Sequence, residues 1–235
     1  MASVFAYRSK QIEIMDDLQC HGQVIDQTLR ELEVINRWLG GNAVTMDGVR
    51  QLAKGHKNLT IADLGCGSGD ILKILACWGR TNNLSLTLTG IDANPHIVEF
   101  ARNNCKDYPE ISIETADVFS QEFVERKYDI VTGTLFYHHF QPEALVRLFS
   151  SLRQQVRIGI VVNDIHRHWL AYYSIKLLTL AFSKSSMVKF DAPLSVLRAF
   201  NKKELTDVLI QSGFSNFQIR WKWAFRWQAI GRVVR

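Results

Sequence analysis

The chain has 235 residues, 47% of them hydrophobic and 22% charged, with a formal net charge of +5. That suits one α/β domain with an added terminal element and excludes a disordered chain. The positive excess is small and dispersed, so it does not by itself call for a nucleic-acid partner. No apolar run reaches the ~20 residues of a membrane-spanning helix. Cys20, Cys66, Cys77 and Cys105 form no CxxC pair, and Met1 to Lys10 lacks a hydrophobic signal core. A reduced, cytoplasmic setting is the expectation.

Within residues 8–40, Val24, Ile25, Leu29, Leu32, Ile35, Trp38 and Leu39 follow helical spacing and stop at Gly40-Gly41. Residues 8–40 therefore read as helical, ahead of the sheet. Residues 44–58 read as a short helix and linker. Arg37 and Asn42 can reach a ligand carboxylate from this region, with solvent exposure the plainer expectation.

The apolar run Leu59 to Leu64 suits a central parallel strand. It leads into Gly65-Cys66-Gly67-Ser68-Gly69 and a helix over 70–78. Glycines at alternate positions allow positive φ and close ligand approach. Free N–H groups at the helix start favour an anionic or polar ligand. Asp63, at the strand end, would repel a pyrophosphate and instead suits a cationic amino group. The GxGxG spacing also departs from the GxGxxG of dinucleotide binders, which places an NAD-dependent oxidoreductase last among the alternatives.

Further strands are predicted at 86–91, ending in Asp92; at 111–115, followed by Ala116-Asp117-Val118; at 128–132; and at 158–162. Helices are predicted from Asn94-Pro95 and from Gln141-Pro142-Glu143 to Leu152. Such βα repetition implies a doubly wound parallel sheet with right-handed crossovers. Ligands then sit beyond the carboxyl ends of the strands. There Asp92 can accept hydrogen bonds from a ribose diol. Asp117 can accept from an adenine amino group, with Val118 against the ring. Each acid alone is as well explained by helix capping; three in register behind a glycine loop with its own aspartate are not.

Residues 163–200 interrupt the rhythm with the apolar stretch Trp169–Phe182 and Phe190-Asp191-Ala192-Pro193. A connection of this length suggests a lid over a substrate. Asn201 is a candidate N-cap for a helix over 202–212. The tail then alternates. Phe217, Ile219, Trp221, Trp223, Phe225 and Trp227 fall on one face, and Gln218, Arg220, Lys222, Ala224, Arg226 and Gln228 on the other. Two paired strands that bury the aromatics are expected. A basic-aromatic RNA platform is the alternative.

Taken together, these residues resemble the class I S-adenosylmethionine-dependent methyltransferases. Asp63 with Gly65, Gly67 and Gly69 matches motif I, Asp92 the ribose-binding acid, and Asp117 the adenine-side acid. Tyr128-Asp129-Ile130-Val131 matches the motif IV strand. The resemblance covers roughly 59–163 plus the closing helix and tail. It implies a Rossmann-like, doubly wound α/β fold with seven strands, the last antiparallel. It also implies S-adenosyl-L-methionine as cofactor, held by Asp63, Gly65, Cys66, Gly67, Ser68, Gly69, Asp92, Ala93, Asp117, Val118 and Thr134. The expected organisation is one domain: a helical segment 1–58, a cofactor core 59–163, a helical lid or substrate insertion 164–200, and a closing helix and strands 201–235. Val162 to Arg167 and Pro193 to Phe200 look like segments of bacterial methyltransferases that act on polyketide- or quinone-type small molecules.

Methyl transfer from a sulfonium is an in-line displacement in which the enzyme positions the reactants. A hydroxyl acceptor also needs a nearby base. The candidates are His138 and His139 after strand four, and Asp164 and His166 after strand five. Capping or loop packing is the plainer role for both His138 and His139. Gly133-Thr134-Leu135-Phe136 lacks the Asn/Asp-Pro-Pro-aromatic motif of amino-group methylation. Neither a Pro-Cys pair nor paired glutamates like those of protein-arginine enzymes occur. Asp164 and Asp191 alone do not make a metal site, so no metal is expected. The expected reaction is methyl transfer to a small apolar or aromatic acceptor, on oxygen. An RNA methyltransferase and a non-enzymatic cofactor-binding module are the alternatives. Nucleic acid is not the expected partner, and the apolar insertion leaves room for a peripheral membrane contact.

Overall fold

The computed structural model describes residues 4–233; the outermost ends of the expected 1–58 and 201–235 segments lie outside the described residues. Strands β1 (Asn58–Leu64), β2 (Ser85–Asp92), β3 (Ile111–Thr115), β4 (Tyr128–Thr134), β5 (Val156–Ile165), β6 (Asn216–Lys222) and β7 (Arg226–Arg232) form one sheet. Its order is β3-β2-β1-β4-β5-β7-β6. The first five are parallel, and β7 runs antiparallel between β5 and β6. This is the seven-stranded arrangement that the resemblance implies.

Two apolar layers cover the sheet. On one face α2 (Gly41–Leu52), α3 (Asp70–Thr81) and α4 (Pro95–Cys105) bury Val49, Leu72, Leu75 and Val98 against Ile61, Leu88 and Ile130. On the other, α6 (Pro142–Gln155) and α9 (Lys202–Gln211) bury Leu148, Leu152, Leu205 and Leu209 against Leu64, Val131 and Val162. Alternate strand residues therefore enter different cores, which is why the central strands read as continuous apolar runs. A four-residue helix α5 (Gln121–Val124) joins β3 to β4. The strand order reverses between β2-β1 and β4-β5, which opens a cleft at the carboxyl ends there.

Two expectations need correction, and the helical insertion expected after strand five is borne out. First, residues 8–22 are not helical. Helix α1 spans Gln23–Trp38 and starts after Gly22, whose φ is 83°. The segment before it is a strap with one 3-10 turn at Ile14–Asp16. The strap is tied to the insertion: Ser9 N–H donates to the Leu197 carbonyl at 2.9 Å. The Ile14 and Met15 N–H groups donate to the Asp191 carboxylate at 2.8 and 3.0 Å. Asp191 is thereby an anchor for the strap.

The insertion is a helical hairpin, α7 (Trp169–Phe182) and α8 (Ser186–Arg198), with Pro193 inside α8. Second, the aromatic alternation does not run unbroken through the tail, because residues 223–225 are the turn between β6 and β7. Trp221 and Trp223 are 47% and 68% exposed on the edge strand and turn, whereas Arg226 is only 4% exposed. Lys222 is paired with Asp47 at 2.8 Å. Trp221, Trp223 and Arg220 thus stay exposed, while Arg226 is buried and Lys222 is held in an ion pair.

Candidate active site

A cavity of about 1220 Å³ lies at the carboxyl ends of the strands. This exceeds the ~300–1,000 Å³ usual for one small ligand. The glycine turn and the ends of β2 to β4 form one half. The strap, α1, α7, α8 and the β6–β7 turn close the other.

In the first half, Gly65 and Gly67 have φ values of 61° and 52°. A Cβ at Gly65 would collide with the Phe136 ring. One at Gly67 would point into the cavity and meet only Leu29 Cδ2, at 3.8 Å. A ligand can thus lie directly on the Gly67 backbone. Asp63 is buried, and its Oδ1 accepts from Thr132 Oγ1 at 2.6 Å. Burial pushes its carboxyl up to about 7, against the Thr132 bond and with the help of Asp70 and Asp92. Burial raises Asp92 as well, although it accepts from the Asn94 and Gly67 N–H groups at 3.0 and 3.4 Å. Asp70 is also raised by burial and accepts from Asn42 Nδ2 at 2.9 Å. Three desolvated acids around one concave surface suit a ligand that brings a cationic amino group and hydroxyl donors.

Most of the other predicted cofactor positions face the same cavity. Cys66, Ser68, Ala93, Val118 and Thr134 line the cavity. Thr134 Oγ1 is also hydrogen-bonded to Thr45 Oγ1 at 2.7 Å. Asp117 lines it too, exposed, with its carboxylate accepting from the Phe119 N–H at 2.9 Å. Gly69 does not reach the cavity; it shapes the entry to α3, and Asp70 takes the lining position.

In the second half, Asp164 is fully buried at the end of β5. Its Oδ1 pairs with His138 Nδ1 at 2.7 Å, and its Oδ2 accepts the His138 backbone N–H at 3.0 Å. Burial opposes the Asp164 charge, but His138 and the N–H groups of Ile165 and His138 outweigh it and hold the carboxyl below its ordinary value. An acceptor of this kind fixes Nδ1 as the protonated nitrogen and leaves Nε2 as the free base. Among the described residues, buried His138 Nε2 has no hydrogen-bond partner, and it lies 3.6 Å from Glu13 Oε1, which has none either. His138 borders the cavity; Asp164 stands behind it.

His139 lines the cavity and stacks on His138, with its Nδ1 held by Asp16. His166 does not join the group. It packs between His168 and Trp227, away from the cavity wall.

Sequence reasoning missed Glu13, Asp16, Arg198 and Arg226. Arg198 is buried, bonds Asp16 and the His139 carbonyl, and lies 3.5 Å from Glu13 Oε1. Glu13 accepts from Ser195 Oγ at 2.9 Å. Burial nevertheless raises its carboxyl to about 7, against His139, Arg198 and Ser195. Arg226 lines the cavity and donates to Asn36 Oδ1 at 2.8 Å, its guanidinium lowered to about 10 by burial. Asp16 and His139 are 123 positions apart, so no local spacing could announce the pair. Glu13, His138 and His139 place possible ligand atoms within 4.8 Å of one another. Arg198 already balances the acids there, and His139 Nδ1 is engaged by Asp16.

Residues 61–159 match the model of the family described as "Methyltransferase domain". Among curated proteins, none matches the chain. Several solved structures share the fold. Magnesium protoporphyrin IX methyltransferase from Synechocystis PCC 6803, solved with bound SAH, is 17% identical with a TM-score of 0.57, over 84% of both chains. Human N-acetylserotonin methyltransferase, in complex with SAM, is 15% identical with a TM-score of 0.63, over 90% of this chain and 56% of that one. An O-methyltransferase family protein from Burkholderia thailandensis is 15% identical with a TM-score of 0.65, over 89% of this chain and 59% of that one. The present chain therefore spans little more than half the length of the last two. The family match runs from β1 into β5 and takes in the glycine turn, Asp63, Asp92 and Asp117. Residues 61–159 thus carry the sequence pattern of a methyltransferase domain.

Proposed function

We propose that the protein methylates a hydroxyl oxygen of a small apolar or aromatic acceptor, with His138 as the general base. The observation that carries this reading is the His138–Asp164 pair. One imidazole nitrogen is fixed by a buried carboxylate, and the other is unpartnered at the cavity wall. S-adenosylmethionine, when bound, supplies the methyl group and a sulfonium leaving group. Asp63 and Asp70 would hold its amino group, Asp92 its ribose diol, and Asp117 with Val118 its adenine, over the Gly67 backbone. The three desolvated acids and the open Gly67 support that fit.

On the acceptor side, Met15, Leu18, Leu32, Ile175 and Val196 give the cavity an apolar wall that favours an apolar substrate. His138 Nε2 takes the hydroxyl proton as the oxygen attacks, and Asp164 stabilises the imidazolium so formed. Arg198 bonds Asp16 of the strap and the His139 carbonyl, which ties the strap across the second half of the cavity and lowers its exposure to water.

The test is methyl transfer to a panel of apolar phenols, with S-adenosylhomocysteine affinity measured in parallel. His138→Asn should lower turnover by about 10²–10⁴-fold and leave S-adenosylhomocysteine affinity intact. Full turnover in the variant would remove His138 as the base. An unbound S-adenosylhomocysteine would end the whole reading.

A further inference from the structure

We infer that the methyl acceptor carries a linear hydrocarbon chain, and that the groove between α1 and α7 holds it; this rests on reading the main cavity as the methyl-transfer site. A second cavity of about 570 Å³ runs between the two helices. Its apolar lining is Val34, Ile35, Trp38 and Leu39 from α1 with Leu178 and Phe182 from α7. Ile35, Leu39 and Leu178 also line the main cavity. The two spaces are thus neighbours across one shared apolar wall, which an extended chain reaching from one to the other would have to part.

The groove offers a ligand almost nothing to hydrogen-bond. Gln27 donates to Glu31 at 3.0 Å, and Glu31 also accepts from Ser183 Oγ and from the Lys184 N–H. Thr179 Oγ1 donates back into its own helix, to the Ile175 carbonyl at 2.9 Å. The Arg30 guanidinium is carried over the Phe100 ring. Gln27, Glu31, Ser183 and Thr179 are thus partnered within the protein, which leaves Arg30 as the charged group at the groove's edge and the rest of its lining apolar.

Its outer end is unusual for a surface in water. Trp38 and Phe182 are each 82% exposed, and of α7 only Ala171 and Thr179 are buried. Helix α7 therefore contributes little to the protein core. A chain lying in the groove would cover Trp38, Leu178 and Phe182 and release water from them.

The experiment measures binding of para-alkylphenols, from methyl to dodecyl, to the full chain saturated with S-adenosylhomocysteine. Affinity should rise on the order of threefold per methylene group until the groove is filled. Val34→Glu and Phe182→Glu should each flatten that dependence. Both positions are exposed, so the fold tolerates the change, and matching thermal melts will verify it. Equal affinity for methyl and dodecyl phenols, or an unaltered slope in both variants, overturns the inference while leaving the methyltransferase reading in place. So does a dimer that Phe182→Glu converts to monomer, since a second copy would then cover the groove. Failure of the unmodified protein to bind S-adenosylhomocysteine overturns both.

Discussion

The two halves of the main cavity are assembled in different ways. The cofactor half comes from consecutive strand ends: Asp63 and Gly67 from the end of β1, Asp92 from the end of β2 and Asp117 from just after β3, and the parallel sheet alone brings them together. The acceptor half is gathered from separate parts of the chain. Glu13 comes from the strap, His138 from the turn after β4, Asp164 from β5, Arg198 from α8 and Arg226 from β7. The first half is a by-product of the fold. The second depends on the strap and insertion closing over the sheet, and it is held by buried charges instead of by backbone register.

The contrast is sharpest at Asp164. If it only packs, replacing it should cost stability and little else. If it fixes the His138 tautomer, Asp164→Asn should lower kcat by about a thousandfold, with little change in S-adenosylhomocysteine affinity. The pH profile should change as well, because an amide leaves the imidazole free to protonate at the wrong nitrogen. A stability loss without a change in the pH dependence of turnover would reduce Asp164 to a structural role.

Glu13 tests whether the acceptor half is strained by its own charges. Its carboxyl is raised to about 7 by burial. The protonated form is therefore the one that the folded state favours. Its contribution to stability is complete below the ordinary glutamate range and is lost as the pH rises through about 7. Glu13→Gln mimics the protonated form at every pH. Relative to the unmodified protein, it should gain about 3 kcal/mol between about pH 5 and about pH 8. Urea denaturation at the two pH values measures this. A constant difference would mean that Arg198 and His139 neutralise Glu13 fully.

How much of each half was legible follows from the same contrast. Asp63, the glycine turn, Asp92 and Asp117 could be read because each lies at a fixed offset from a recognisable strand. His138 and Asp164 could be proposed from their places after β4 and β5, but not their pairing, which depends on how the 137–139 turn folds over β5. The strap was invisible. Its apolar residues carry no periodicity before Val24, and its hydrogen bonds go to Asp191 and Leu197, far away in sequence. Trp221 and Trp223 misled because strict alternation looks the same whether or not a turn interrupts it.

The smallest expected effect falls on the cofactor half, at Gly67. A valine there meets no wall, since only Leu29 lies within reach of a Cβ. The apolar core beneath it is untouched. What changes is a φ of 52°, which a β-branched residue adopts at a cost of roughly 1–3 kcal/mol, and the space directly above the loop. Gly67→Val should therefore lower S-adenosylhomocysteine affinity about thirtyfold, a loss of about 2 kcal/mol, and leave the alkyl-chain dependence of phenol binding as it is. If both were lost together, the two halves would not be separable. The strap and the glycine loop would then form one cooperative closure, with α1 coupling them through Leu29.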